Sequence, residues 1–133
     1  MAGLRKDYQI IINEVCKMKV LHYSEASSRS FDSEIVKNVT GRVVIGKDDG
    51  APNFCMRAFT IGADGFTPRH AHEWEHEIFI HSGKGQVFQK GQWTDVEAGT
   101  AVFIPGHEEH QLRNRGNEDF TFICLIPRDV PEL

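Results

Sequence analysis

The chain has 133 residues, of which 40% are hydrophobic and 26% charged, and its formal net charge is −4 at pH 7. This length fits one domain with one hydrophobic core, and an acidic balance without a basic stripe argues against a nucleic-acid partner. The apolar runs are too short to span a bilayer and the first residues lack the apolar stretch of a signal peptide, so we expect a cytoplasmic protein with no membrane partner.

The N-terminal third has a weak pattern. Residues 8–20 are compatible with a strand or a poor helix, and residues 24–30 are typical of a polar loop. We therefore assign residues 1–34 to an N-terminal segment that could pair along the edge of a partner subunit, and residues 35–133 to the main domain.

Short apolar segments rich in β-branched and aromatic residues fill the rest of the chain. Glycine, proline and asparagine separate them at turn-like positions such as 46–52, 62–65 and 115–117. Short strands with this turn chemistry predict an all-β sandwich or barrel. The predicted strands are 42–45, 53–61, 77–81, 85–89, 92–96, 101–104, 111–114 and 118–126.

The three cysteines are scattered and form no CxxC pair. A disulfide framework or a thiolate zinc site is therefore not indicated. Each cysteine has apolar neighbours, so we expect Cys16, Cys55 and Cys124 to be small buried hydrophobic residues.

Six of the seven histidines lie between His70 and His110. On a strand, His70 and His72 point to the same face about 6.6 Å apart, which is close enough for both rings to reach one ion. His76 has the same parity, but four strand residues span about 13 Å, so the chain must bend through residues 73–75 if all three bind one metal. His110 would then arrive from a separate strand.

A second interpretation of this region is possible. Residues 72–76 match HExxH, in which two histidines on one helix face bind zinc and the glutamate acts as a general base. That chemistry needs a helix, whereas Pro68 and the strand-like residues 77–83 predict extended structure. A helix would also leave His70 and His110 without a role.

At these positions the sequence resembles the cupins, small β-barrels that hold a metal ion inside. Their first motif is G(X)5HXH(X)3–4E(X)6G, and here Gly65, His70, His72, His76 and Gly83 occupy its positions. The spacing from Gly65 to His70 is one residue short, and His76 stands where the family usually has glutamate. Glu77 satisfies the longer spacing variant, but its parity points it away from His70 and His72.

The second cupin motif, G(X)5PXG(X)2H(X)3N, matches Gly99, Pro105, His110 and Asn114. His107 occupies its second glycine position. The stretches HAHEWEHEIFI and FICLIP resemble single-domain, manganese-binding cupins with four histidine ligands. The resemblance implies a double-stranded β-helix (jelly-roll) barrel, a homodimer, and a metal site formed by His70, His72, His76 and His110.

One divalent metal ion is the cofactor that the resemblance implies, with manganese favoured. Imidazole also suits iron, nickel, copper and zinc. Four neutral imidazoles leave the charge of such an ion uncompensated, which favours a small anionic substrate. We expect an oxidoreductase or dioxygenase-like enzyme. The alternatives are a non-redox cupin, such as a sugar-acid isomerase or lyase, and a ligand-binding module without turnover.

Two further residues are candidates for the site. Cys124 shares a strand face with Phe122 and Ile126, and it could look into the cavity as an oxidisable thiol, although buried packing is the favoured interpretation. Arg57 could hold a substrate carboxylate, but we favour a position on the outer face in an ion pair.

The remaining candidates flank the ligands. His81 has the wrong parity and should lie outside. His107 could sit at the cavity mouth or simply form a turn. Trp74 and Phe66 could line the entrance, although ordinary barrel packing explains them equally well.

Overall fold

Nine antiparallel strands form most of residues 17–133, the part of the chain that this computed structural model describes. Two short 3₁₀ turns, Tyr23–Glu25 and Lys47–Asp49, precede β1 and follow β2. The strands are β1 Ser28–Phe31, β2 Lys37–Ile45, β3 Phe54–Phe66, β4 His76–Ser82, β5 Lys84–Gln89, β6 Gln92–Glu97, β7 Ala101–Ile104, β8 Gln111–Arg113 and β9 Phe120–Pro127. The all-β prediction is confirmed, and each of the eight predicted segments overlaps a strand.

The prediction of a polar loop at residues 24–30 was partly wrong. Ser28 and Ser30 lie in β1, which pairs with β2 of the same chain in the register Ser28↔Arg42 and Ser30↔Thr40. A polar, solvent-exposed strand is an ordinary edge strand, and its lack of apolar residues hid it from the sequence pattern. Residues 17–20 form neither helix nor strand, and the rest of the predicted segment 8–20 lies outside the described residues. Pairing of the N-terminal segment with a partner subunit stays a prediction.

The sheet order brings distant segments of the chain together. The hydrogen-bonded path runs β6-β5-β8-β3-β9-β4-β7, and β2 pairs with both β1 and β3. Most neighbours are not consecutive in sequence, so the sheet curls into the jelly-roll barrel that was expected. Within residues 17–133, no helix is long and apolar enough to cross a membrane.

Alternation of side chains between the two faces of the strands sets the barrel interior, and it is clearest in β4. In β4, His76, Ile78 and Ile80 are buried whereas Glu77 and His81 are exposed. The inward residues of β3, β8 and β9 join them in one hydrophobic core. The same alternation that builds the core therefore also points His76 into the barrel.

Candidate metal centre

His70 and His110 come together through the backbone. They form an isolated antiparallel bridge, in which His110 N donates to His70 O at 2.9 Å and His70 N donates to His110 O at 3.2 Å. The bridge joins the segment that follows β3 to the segment that precedes β8. It brings the two imidazole rings to a centroid separation of 4.7 Å.

His72 lies in an irregular loop between β3 and β4. Its Nδ1 lies 2.9 Å from the carbonyl oxygen of Trp74, and its ring stacks on the Trp74 indole at a centroid distance of 4.1 Å. Residues 73–75 bend between the two histidines, as a shared site for His72 and His76 requires. The helix that the HExxH interpretation requires is not formed at residues 72–76.

His76 is the first residue of β4 and its side chain is buried, with 7% exposure. Its Nε2 lies 2.8 Å from the Nε2 of His72. Glu77 is exposed, so parity separated the two candidates as predicted.

All four predicted ligands converge. One nitrogen from each of His70, His72, His76 and His110 lies within 4.8 Å of the others, a group that could hold a metal ion. His110 is buried, and its Nδ1 lies 2.9 Å from the carbonyl oxygen of Glu108. A neutral ring that donates from Nδ1 presents a bare lone pair at Nε2.

The hydrogen bonding of the cluster fits a cation at its centre. The Nε2 of His110 is buried and has no hydrogen-bond partner among the described residues. An unpaired buried acceptor is costly unless something satisfies it, and a divalent ion facing several imidazole lone pairs would do so.

The surroundings keep these rings neutral. Burial, reinforced by the nearby Arg57 charge, lowers the pKa of His76 to about 3. Burial and the neighbouring His110 lower the pKa of His70 to about 4. Burial also lowers the pKa of His72 and of His110. Neutral imidazole is the form that binds metal, so the site needs little deprotonation at physiological pH.

Arg57 was predicted on the outer face, and that prediction was wrong. The side chain is 8% exposed and lines the cavity beside the histidines. Its Nη1 donates to the backbone oxygen of Glu132 at 3.2 Å, and its Nη2 donates to the Cys124 sulfur at 3.0 Å. The guanidinium also lies 4.8 Å from the Phe59 ring centroid. These contacts replace the water that would otherwise solvate the guanidinium. The charge can therefore lie inside the barrel, despite the usual preference of arginine for the surface.

Cys124 is buried, as the favoured interpretation predicts, and it also lines the cavity, whereas its role as an oxidisable thiol stays a prediction. Its sulfur lies 3.2 Å from Nδ1 of His76. Burial raises the pKa of its thiol, and the Arg57 charge opposes that rise. Cys55 is buried as predicted, whereas Cys16 lies outside the described residues.

Of the four candidates that flank the ligands, only Trp74 lines the cavity. His81 is exposed as predicted, and its ring contacts Tyr23 edge-on at 5.4 Å. His107 is exposed in a turn with φ +68°, outside the cavity lining. Trp74 lines the cavity, whereas Phe66 lies half-buried in β3 opposite Arg113 and does not.

The four histidines open onto a cavity of about 410 Å³. Most of its lining is apolar, and Arg57 is the one permanently charged side chain among the described lining residues. Aromatic rings come from four separate segments: Phe31, Phe59, Trp74 and Phe122. The alternation of β9 indicated Phe122 in the sequence, but the contribution of Phe31 depends on how β1 folds over the barrel and had no sequence signal.

Known proteins share this fold and part of this sequence. Residues 58–126 match the cupin domain family. The polyketide cyclase from Streptomyces resistomycificus superposes with a TM-score of 0.80 and 31% identity, covering 86% of this chain and 82% of the cyclase. A glucose-6-phosphate isomerase from Pyrococcus horikoshii is 26% identical over 96% of this chain and 79% of its own length. The 1-methylthio-D-xylulose 5-phosphate methylsulfurylase from Rhodospirillum rubrum is 30% identical to this chain. The matched region covers 59% of this chain and 51% of the methylsulfurylase.

Proposed function

Because the chain belongs to the cupin family, we propose that His70, His72, His76 and His110 bind one divalent metal ion in a metal-dependent enzyme that acts on small organic anions. The unpartnered Nε2 of His110 and the lowered histidine pKa values support this assignment. Manganese is the favoured metal from the family resemblance. Iron, nickel, copper and zinc also accept imidazole ligands.

The ligand set supports an anionic substrate. When bound, the ion would act as a Lewis acid that polarises an oxygen of the substrate. No carboxylate belongs to the cluster, so its charge would be left for a substrate enolate, phenolate or carboxylate. Arg57 adds a second positive charge beside His76 and has one N–H group, at Nε, without a partner among the described residues.

The proposed substrate class rests on the residues that line the cavity. Phe31, Phe59, Trp74 and Phe122 surround a space that is large enough for a drug-sized molecule. A sugar phosphate needs many polar partners for its hydroxyls, and the described lining offers mainly Thr67 and Arg57 besides the histidines. An aromatic or otherwise apolar body with an anionic oxygen at one end fits better.

An aromatic body with an anionic oxygen suits a reaction at a carbonyl or enol, and we place a non-redox one first, such as an isomerisation or a ring closure. Arg57 would pair with the anionic oxygen, and the aromatic rings would hold the apolar body and exclude water. The activities of the polyketide cyclase and of the glucose-6-phosphate isomerase support this order of preference.

A dioxygenase-like reaction is the second candidate. One observation favours it, because all four histidines line the cavity, which leaves room near the site for dioxygen as a co-substrate. Oxygen consumption separates the two reaction classes.

The test compares two probes on metal-loaded protein. Benzoylacetone has an aromatic body and a chelating enolate, whereas glucose 6-phosphate is polar throughout. We expect tighter binding of benzoylacetone, measured by its ultraviolet shift and by calorimetry, and no oxygen uptake at an electrode. Preferential binding of glucose 6-phosphate would contradict the proposed substrate class. Oxygen uptake that depends on benzoylacetone would move the assignment to the second candidate.

A further inference from the structure

His76 differs from two other histidines of the cluster in the partner of its outer nitrogen. The Nδ1 atoms of His72 and His110 each face a backbone carbonyl oxygen, of Trp74 and Glu108, at 2.9 Å. Nδ1 of His76 faces the sulfur of Cys124 at 3.2 Å and Nη2 of Arg57 at 3.4 Å. Within residues 17–133, no carbonyl or carboxylate oxygen lies within hydrogen-bond distance of this atom.

Only one of these two neighbours can accept a hydrogen bond from Nδ1. If Nε2 of His76 binds the metal through its lone pair, the neutral ring carries its proton on Nδ1. A guanidinium has no acceptor, so Arg57 cannot receive that hydrogen bond. The Cys124 sulfur can, while its own S–H proton can point toward the carbonyl oxygen of Leu125 at 4.0 Å.

Arg57 keeps the sulfur in place on the opposite side. Its Nη2 donates to the sulfur at 3.0 Å, and its Nη1 is held by the Glu132 backbone oxygen. Arg57 and Cys124 lie on adjacent strands in direct register. The pair is buried, so water does not compete for the sulfur.

From this arrangement we propose that Cys124 is a positioning residue, whose sulfur accepts the Nδ1–H bond of His76 and so fixes that ring with Nε2 toward the metal. The proposal rests on the metal site of the proposed function. Partners that hold metal-ligating histidines from behind commonly change metal affinity by about 10- to 100-fold when they are removed. A sulfur is a weaker acceptor than a carbonyl oxygen, so His76 becomes an electronically distinct ligand within the set.

The test measures the binding of Co²⁺ and Mn²⁺ alone to C124A, C124S and wild type, together with the Co²⁺ absorption spectrum. We expect C124A to bind about 10-fold more weakly or worse, with a shifted spectrum, and C124S to recover part of the affinity because its hydroxyl can accept. Cys55 provides the matched control, since it is buried on β3 outside the cavity lining. C55A should leave both the affinity and the spectrum unchanged.

The proposal is overturned if C124A binds both ions like wild type, if C124S is no better than C124A, or if C55A is equally weakened. A second measurement uses only the wild-type protein, so its result does not depend on whether a variant folds. In Zn²⁺-loaded wild type, ¹H–¹⁵N spectra of the histidine rings should show the His76 proton on Nδ1, and a proton on Nε2 would overturn the proposal. A wild-type protein that binds no metal would instead refute the proposed function itself.

Discussion

The backbone N–H of His107 donates to the carbonyl oxygen of His72 at 2.6 Å. This hydrogen bond ties the turn before His110 to the loop that carries His72, so two ligand-bearing segments are held together independently of any metal. Gly106, the residue before His107, packs against the same loop. A Cβ atom at this position would meet the backbone oxygen of Glu73 at 2.2 Å.

Replacement of Gly106 by alanine should therefore disturb the metal site. The Glu73 oxygen belongs to the backbone and cannot move away cheaply, so the loop or the turn must shift. We expect G106A to lower the free energy of unfolding by about 1–3 kcal/mol and to weaken metal binding, as measured by urea unfolding and calorimetry. The matched control is G116A, where the added Cβ would lie 3.4 Å from the Asn114 side chain in ordinary contact. Equal behaviour of the two variants would contradict this role of Gly106.

The metal-free protein should lose stability as the pH falls from about 7 toward about 4. The pKa of His76 is about 3 and that of His70 about 4 in the folded protein, whereas unfolded histidines have a pKa of about 6.5. Between these values the unfolded state binds more protons, so the free energy of unfolding rises with pH. Urea unfolding across this range measures the slope, which H76Q should make shallower. A flat profile in the metal-free wild type would be inconsistent with neutral histidines in the cluster.

Arg57 should contribute to the binding of anions in the cavity. R57Q removes the charge beside His76, so we expect metal-loaded R57Q to bind the benzoylacetone enolate about 10-fold more weakly or worse, since charge-assisted hydrogen bonds contribute about 1.5–3 kcal/mol. Titration at constant metal occupancy measures this effect. R69Q is the control, because Arg69 lies outside the cavity lining with its guanidinium 3.8 Å from the Phe88 ring centroid. Comparable affinities for R57Q and R69Q would remove Arg57 from the substrate site.

Trp74 should report the arrival of metal. Its indole stacks on the ring of His72 at 4.1 Å with an interplanar angle of 9°. Paramagnetic Co²⁺ at the cluster should therefore quench Trp74 fluorescence, and the W93F variant isolates this signal because the chain has two tryptophans. We expect saturable quenching in W93F and little in W74F. Quenching that survives in W74F but not in W93F would place the ion elsewhere.

Strand parity predicted much of this site because it depends on local geometry. The alternation of β4 separated His76 from Glu77, and that of β9 put Phe122 and Cys124 on one inward face. Parity also places Arg57 inward, but the general preference of charged residues for the surface led to the wrong prediction. The stabilising contacts come from Glu132 and Cys124, which are 75 and 67 residues away in the chain. Such long-range partners leave no pattern in a local sequence window.

The bend through residues 73–75 could be inferred from the distance that an extended strand would put between His72 and His76. The contacts that hold the bend could not be inferred. It depends on the turn at Gly106 and on the stacking of Trp74 against His72, both of which are tertiary contacts. The strand β1 escaped prediction because its serines carry no alternating apolar signal. Its residue Phe31 nevertheless reaches the cavity, so the substrate pocket is less predictable than the ligand cluster.

Metal content tests the central claim most directly. Elemental analysis should be made on full-length protein purified without added metal or a histidine tag, beside H76Q, H110Q and the control H81Q. The account predicts about one divalent ion per chain in wild type and H81Q, and strongly reduced content in H76Q and H110Q. A wild-type protein that stays metal-free after incubation with manganese, iron, cobalt, nickel and zinc salts would contradict it, as would full occupancy in both H76Q and H110Q.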